Sequence, residues 1–365
     1  MGILFASVPY FCVEFISTGA KLMNAEAVAL EIQEPLKKLT YLEKIRNRLY
    51  VEYYISKRSG GKREICVYLC DSKEAQARLK NKLRTLKKND AELEKLVRAA
   101  QELKTVHRKL KELLDRIPLP DCVFGFRKNE SIVTCARKHV GKKYVISLDI
   151  KDFFPSVTSD MVLRQLKREG FEDTGAWLIA RLVAFKGVLP QGAITSPAAS
   201  NVAFKPYDEK LQKYFEERGF VYTRYADDVT VSTDQEVTDE MIQQIVEETS
   251  QIIAPFKWNA KKIKIYGPNE PHYVLGLIVN AKPNVPKQKR RLIRAMVHNF
   301  VRKHALPQGE DPIRYKRKLM GKLAYCLFVN PHIESLLELY EELRKFDPNR
   351  VSEWKSLYVS EEEGE

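Results

Sequence analysis

The sequence has 365 residues, 44% of them hydrophobic, which is enough for a sizeable core and excludes both a small stapled scaffold and a disordered chain. Lys and Arg number 62 against 48 Asp and Glu, a formal net charge of +14 that points to a polyanionic partner, nucleic acid first and an anionic membrane surface second. The cysteines (Cys12, Cys66, Cys70, Cys122, Cys135, Cys326) form no CxxC pair and no zinc-type spacing with His, so they read as free thiols in a reducing cytoplasm.

Residues 2–13 are apolar, but no basic stretch precedes them and Glu14 follows closely, so a cleaved signal peptide is not expected. No apolar run reaches the roughly 20 residues a membrane helix needs. Helical periodicity over 24–49 leads into a strand over 50–57, a Ser59-Gly60-Gly61-Lys62 turn and a second strand over 63–69, a basic hairpin. Asp71 with Glu74 reads as a capping box opening a charged helix with Leu79, Leu83 and Leu86. Asn89-Asp90 breaks that periodicity, and Asn89 with Glu92 caps a second helix carrying Leu93, Leu96, Ala100, Leu103, Leu110 and Leu113. Residues 72–116 therefore predict a helical hairpin whose first arm is crowded with Lys73, Arg78, Lys80, Lys82, Arg84, Lys87 and Lys88. One expectation is that the two leucine stripes satisfy each other; the other is a recognition or assembly element outside the catalytic unit, docking structured RNA or a second subunit.

Beyond Pro118 and Pro120 the pattern becomes β-rich, with strands expected over 144–148, 221–232 and 273–279 in an antiparallel sheet with helices on one face. From Lys287 the chain is again helical and basic, with Arg290, Arg291, Arg294, His298 and Arg302 at helical intervals, and it closes on Glu361-Glu362-Glu363.

Two places carry chemistry. Asp149 closes the apolar strand Tyr144-Val145-Ile146-Ser147-Leu148, and Asp227-Asp228 lies between Tyr225-Ala226 and Val229-Thr230-Val231-Ser232, so both acids are expected in the tight turn of a hairpin. An isolated Asp-Asp pair is ordinarily a solvated turn. Carboxylates at strand ends suit hard Mg2+, and two such ions would activate a 3′ hydroxyl and neutralise a pyrophosphate leaving group, which joining a nucleotide to a chain requires.

Context decides between these. Tyr225-Ala226-Asp227-Asp228 resembles the YxDD box of reverse transcriptases, Leu148-Asp149-Ile150-Lys151-Asp152-Phe153-Phe154 resembles their first palm motif, and Leu189-Pro190-Gln191-Gly192-Ala193-Ile194-Thr195-Ser196-Pro197 between them resembles their template and nucleotide motif. Trp258-Asn259-Ala260-Lys261-Lys262 and Tyr273-Val274-Leu275-Gly276-Leu277 are similar to the later phosphate-lysine and primer-grip segments. Order and separation agree over roughly residues 50–300.

The resemblance implies an α+β right-hand polymerase fold. It would comprise an N-terminal helical region (1–49), fingers (50–143, with the insertion at 72–116), palm (144–284, with fingers elements near 160–190), helical thumb (285–345) and tail (346–365). It implies Asp149, Asp227 and Asp228 as catalytic residues and, with Ile150, as the site of two Mg2+ ions. Lys57, Lys62, Arg63, Ile150, Phe154, Gln191, Gly192 and Lys262 would meet the nucleotide, Lys261 being the close second to Lys262. Tyr225, Leu275, Gly276, Arg290, Arg291, Arg294 and His298 would meet nucleic acid. Phe154 would be the ring that leaves no room for a 2′ hydroxyl, with Phe153 in the core.

Val285-Pro286, Arg290-Arg291 and His298-Asn299 resemble bacterial retron-type enzymes, whose Asn-Ala-x-x-His and Val-Thr-Gly segments appear here as Cys135-Ala136-Arg137-Lys138-His139 and Val274-Leu275-Gly276. The implied function is RNA-directed DNA synthesis making RNA-linked single-stranded DNA in antiphage defence. Implied partners are an RNA template and primer, a structured non-coding RNA, deoxynucleoside triphosphates, and an effector protein or second copy, with no membrane. Another defence-associated reverse transcriptase, or a non-catalytic RNA-binding palm protein, is the alternative. A catalytically dead relative would be expected to have lost an aspartate, and all three are present.

Overall fold

The structure, a computed structural model, describes residues 23–56, 60–85 and 90–357. Lys57, Arg58, Leu86, Lys87, Lys88, Asn89, the apolar start and the acidic tail lie outside the described residues.

The chain begins with helices α1 (Ala25–Glu31) and α2 (Leu36–Ile45), strands β1 (Tyr50–Ser56) and β2 (Lys62–Tyr68), and helices α3 (Lys73–Thr85), α4 (Asp90–Leu114) and α5 (Ile132–Arg137). Strand β3 (Tyr144–Asp149) follows, then α6 (Phe153–Ser156), α7 (Ser159–Arg168), α8 (Asp173–Val183) and α9 (Ser196–Glu216). Next come β4 (Val221–Tyr225), β5 (Asp228–Thr233), α10 (Asp239–Ile252), β6 (Lys264–Tyr266), β7 (Tyr273–Val274) and β8 (Leu277–Ile278). The remainder is α11 (Lys287–Arg302), β9 (Ala305–Pro307), α12 (Pro312–Val329), α13 (Glu334–Lys345) and β10 (Lys355–Leu357). Two units result, the first from residues up to 119 with 154–205, the second from 120–153 with the chain from 206 onward.

In the first unit β1 and β2 form an antiparallel hairpin in continuous register from Tyr50↔Tyr68 to Ser56↔Lys62. Helix α4 repeats apolar residues every three or four positions, and Leu103, Val106 and Leu110 on that stripe are fully buried. The stripe packs against α2, α8 and β2 as well as α3. The expectation that the two leucine stripes satisfy each other is met only in part, because the α4 stripe also belongs to the core of the first unit. Only α3 has the character of an appendage, with an exposed basic face and contacts through Ala75 and Leu83. The capping expectation is corrected. Ser72 Oγ, not Asp71, accepts from the Ala75 N–H at 3.1 Å, and the Asp71 carboxylate instead takes Lys104 Nζ of α4 at 2.7 Å.

In the second unit a four-stranded antiparallel sheet runs in the order β4-β5-β3-β6. Ile146 and Leu148 of β3 pair with Val231 and Val229 of β5, and these four residues of one sheet face are buried. The expected strand over 273–279 is instead two short strands around Leu275 and Gly276, whose φ values of 51° and 77° turn the chain back on itself. Val274 and Leu277 anchor that hairpin in a cluster with Val297, Phe300, Leu319 and Leu323 of the helical region. Cys66, Cys70, Cys122, Cys135 and Cys326 are free thiols, and among the described residues no helix is long and apolar enough to cross a membrane.

Candidate active site

The second unit assembles the acids. Register pairs Asp149 at the end of β3 with Asp228 at the start of β5, and Tyr225 pairs with Asp228, leaving Ala226 and Asp227 as the turn. The expectation of two acids in the turn is thereby corrected. Asp227 occupies it, whereas Asp228 belongs to the strand, where its side chain shares a sheet face with that of Asp149. The Ile150 N–H donates to the Asp227 carbonyl at 2.9 Å and the Asn259 N–H to the Asp149 carbonyl at 2.8 Å, so backbone bonds fix the end of β3 on both sides. The Ile150 side chain is buried, so only its backbone faces this place.

Electrostatics mark the cluster as a place for cations. The protein around Asp228, then Asp227 and Asp149, pushes its carboxyl up to about 6. Lys262 Nζ lies 2.7 Å from Asp149 Oδ2, and that bond raises the ammonium pKa. Asn259 Nδ2 donates to the other Asp149 oxygen at 3.1 Å. Lys262, expected at a triphosphate, is thus held at the acids, and Lys261 beside it is exposed. No group of three or more His, Cys, Asp or Glu side chains with metal-holding geometry occurs among the described residues. What fits a divalent cation is the mutual repulsion of neighbouring carboxylates, which such a charge would offset.

Residues that drew no role from the sequence hold the turn in place. Arg224 and Asp208 are both fully buried and form a bidentate pair, Nε to Oδ1 at 2.8 Å and Nη2 to Oδ2 at 2.6 Å. Arg224 Nη1 donates to the Ala226 carbonyl at 3.0 Å, and the Tyr222 hydroxyl to Asp208 at 2.8 Å. Burial works against the guanidinium charge, and Asp208 outweighs it, so the Arg224 pKa is raised. Gly125 also touches the turn backbone: a Cβ there would lie 2.3 Å from the Ala226 nitrogen. His139, from the partly matching retron segment, bridges Ser232 of β5 and Thr223 of β4, each at 2.7 Å. Burial drops its pKa to about 3, so it is a neutral strut.

The first unit assembles the glutamine-glycine loop. The Cys66 N–H of β2 donates to the Gln191 carbonyl at 2.8 Å. Gly192, at φ 117°, passes so close to β2 that a Cβ would lie 2.5 Å from the Cys66 carbonyl oxygen. Lys62 and Arg63 are exposed on the basic hairpin, and Phe154 is half-buried. Phe153 belongs to the second unit and packs on Phe256 at 6.1 Å, in the core as expected.

The basic stripe of α11 is divided. Arg290 donates to the Val285 carbonyl at 3.0 Å, Arg294 to Ser335 and Arg302 to Glu342, each at 2.5 Å, while Arg291 and His298 face solvent. Helical spacing places residues on a stripe but does not tell which have partners inside their own unit. Tyr225 is half-buried beside the turn, and Leu275 and Gly276 form the tip of the β7-β8 hairpin.

A family model described as reverse transcriptase (RNA-dependent DNA polymerase) matches residues 55–279. The chain is 31% identical over 196 residues to the Retron Ec86 reverse transcriptase of Escherichia coli, covering 52% of this chain and 60% of that protein. It is 32% identical over 250 residues to the Retron Mx65 reverse transcriptase of Myxococcus xanthus, covering 63% and 57%. The chain thus spans less than two thirds of the length of either relative. Apo telomerase from Candida tropicalis aligns with a TM-score of 0.50 at 13% identity over 81% of this chain and 55% of that one, a likeness of fold. These matches bear out the right-hand polymerase fold class and the retron-type resemblance.

Proposed function

The chain belongs to the reverse transcriptase family, and from that premise we propose that it adds deoxynucleotides to a primer on an RNA template by two-metal phosphoryl transfer. The observation that carries this is the in-register pairing of Asp149 with Asp228 beside Asp227, on a turn held by the Arg224 guanidinium and packed against Gly125. Asp149, Asp227 and Asp228, with the Ile150 backbone, would hold the two Mg2+ ions. When bound, these supply charge neutralisation for the attacking 3′ oxygen and the pyrophosphate. Asn259 fixes the Asp149 carboxylate, and Lys262, already at that carboxylate, is placed to exchange it for a phosphate oxygen. Lys57, Lys62 and Arg63 offer charges to the triphosphate, and Gln191 with Gly192 offers side chain and open backbone to the nucleotide and template base.

The retron reverse transcriptases among its relatives support the narrower reading of a retron-type enzyme; a structured non-coding RNA partner and a role in antiphage defence are what the sequence resemblance adds to that reading. Free thiols fit a reducing cytoplasm.

Primer extension on a primed RNA template with deoxynucleotides and Mg2+ tests the activity, and Phe154→Val tests the sugar gate. The variant is expected to raise ribonucleotide use relative to deoxynucleotide by about tenfold or more. Phe153→Val is expected to lower stability by about 2–4 kcal/mol, with little change in sugar choice. Relaxed choice at Phe153 alone would place the gate one residue earlier.

Arg291 supports a second expectation. If the exposed face of α11 follows a phosphate backbone, Arg291→Ala should lower the slope of log affinity against log salt by about 0.7 to 0.9. Arg290 and Arg294, already bonded within the unit, should contribute less. An unchanged slope for Arg291→Ala would mean a solvated helix face.

A further inference from the structure

Two groups in the first unit, Tyr68 of β2 and His107 of α4, are buried, polar and unused by the proposed chemistry. They share one hydrogen-bonded line. His107 Nε2 lies 3.0 Å from the Leu182 carbonyl, and Nδ1 lies 2.7 Å from the Tyr68 hydroxyl. The Ile194 N–H lies 3.1 Å from the same hydroxyl oxygen.

Elementary donor and acceptor rules fix the direction of this line. Burial brings the His107 pKa down to about 4, so the ring is neutral with one N–H. A carbonyl only accepts, so Nε2 carries the hydrogen and Nδ1 is the acceptor. Tyr68 must therefore donate its O–H to Nδ1, which leaves its oxygen lone pairs for the Ile194 N–H. The Tyr50 hydroxyl, 3.4 Å from the same Nδ1, is the weaker competitor.

Ile194 belongs to the loop that carries Gln191 and Gly192. Cys66, two residues before Tyr68, holds the Gln191 carbonyl, and Ser196 Oγ closes the loop on the Pro190 carbonyl at 2.6 Å. Strand β2 thus grips the loop at both ends of the segment 191–194, and α4 sets the orientation of the second grip.

We propose that Tyr68, aligned by His107, is a positioning residue for the Gln191–Ile194 loop, so that the helical insertion 72–116 acts on nucleotide selection through α4. The proposal rests on the reading that Gln191 and Gly192 meet the nucleotide and template.

The test is single-nucleotide incorporation by the full chain on a primed RNA template, with KM for the deoxynucleotide and kcat measured separately. Tyr68→Phe keeps the ring and removes the hydroxyl. It is expected to raise KM by about three- to tenfold, the usual worth of one lost hydrogen bond, with kcat changed less than about twofold. His107→Phe should raise KM similarly, the Tyr68→Phe/His107→Phe double variant no further, and His107→Gln, which offers one donor and one acceptor, should restore part of the loss. Gln191→Ala probes the underlying reading. If it leaves KM unchanged, that reading fails and the positioning role with it. If Gln191→Ala raises KM while Tyr68→Phe does not, the positioning role alone is overturned. A lower melting temperature and lower kcat at unchanged KM in Tyr68→Phe would make the residue merely structural and also overturn it.

Discussion

Asp228→Asn is expected to reduce primer extension on the order of a thousandfold or more while leaving the fold intact. The substitution keeps size and removes one negative charge from the strand position opposite Asp149, where charge that develops in the transition state must be balanced. Folding should not suffer, because Asn keeps the shape of Asp, and the Asp228 side chain, although the surrounding protein screens its carboxyl from water, keeps accessible surface at the strand end. The sign of the effect on stability follows from its pKa. Its carboxyl sits at about 6 in the folded chain, above the ordinary 3.8, so the unfolded chain gives up this proton at lower pH. Stability from this group is therefore present at low pH and lost as pH rises through about 6. Asn removes that loss, so in metal-free buffer at neutral pH the melting temperature should equal or exceed that of the parent. Undiminished extension would remove Asp228 from the catalytic set. A collapse of the melting temperature would show that the acid is structural.

Asp208→Ala is expected to act in the opposite way, through stability first. Arg224 is fully buried, and without Asp208 its guanidinium loses both carboxylate bonds while the Tyr222 hydroxyl loses its acceptor. Breaking one side of a buried pair costs about 3–5 kcal/mol, since the remaining guanidinium stays out of water without the opposite charge that offset its burial. A fall in melting temperature of roughly 10 °C is the expected reading. Tyr222→Phe, which removes one hydrogen bond and keeps the pair, should cost only about 1 kcal/mol. Extension by Asp208→Ala should be lost even below its melting temperature, because Arg224 also holds the Ala226 carbonyl beside Asp227. An unchanged melting temperature in Asp208→Ala would mean that the pair is not desolvated as the structure has it.

The candidate site was legible because it depends on short, contiguous segments. Asp149 at the end of an apolar run and Asp227-Asp228 between two β-rich runs could be placed without tertiary information, since strand alternation and turn composition are local properties. The same held for Phe153 in the core, for the basic hairpin and for the antiparallel sheet. Tertiary structure decided which side chains have partners. Nothing local distinguishes Arg290 and Arg294, bonded within their unit, from Arg291, which is not, because all three fall on one helical repeat. Nor does a Leu-rich helix reveal whether its stripe meets one neighbouring arm or a whole core. Helix α4 buries its stripe against α2, α8 and β2, segments far away in sequence. Asp208 and Arg224, Gly125 and Ala226, and Tyr68, His107 and Ile194 are likewise separated along the chain, and their roles arise from distance and desolvation. Sequence patterns encode the period of an element and the residues at its ends. The cost of a buried charge or an unpaired N–H depends on what packs around it, which only the folded chain specifies.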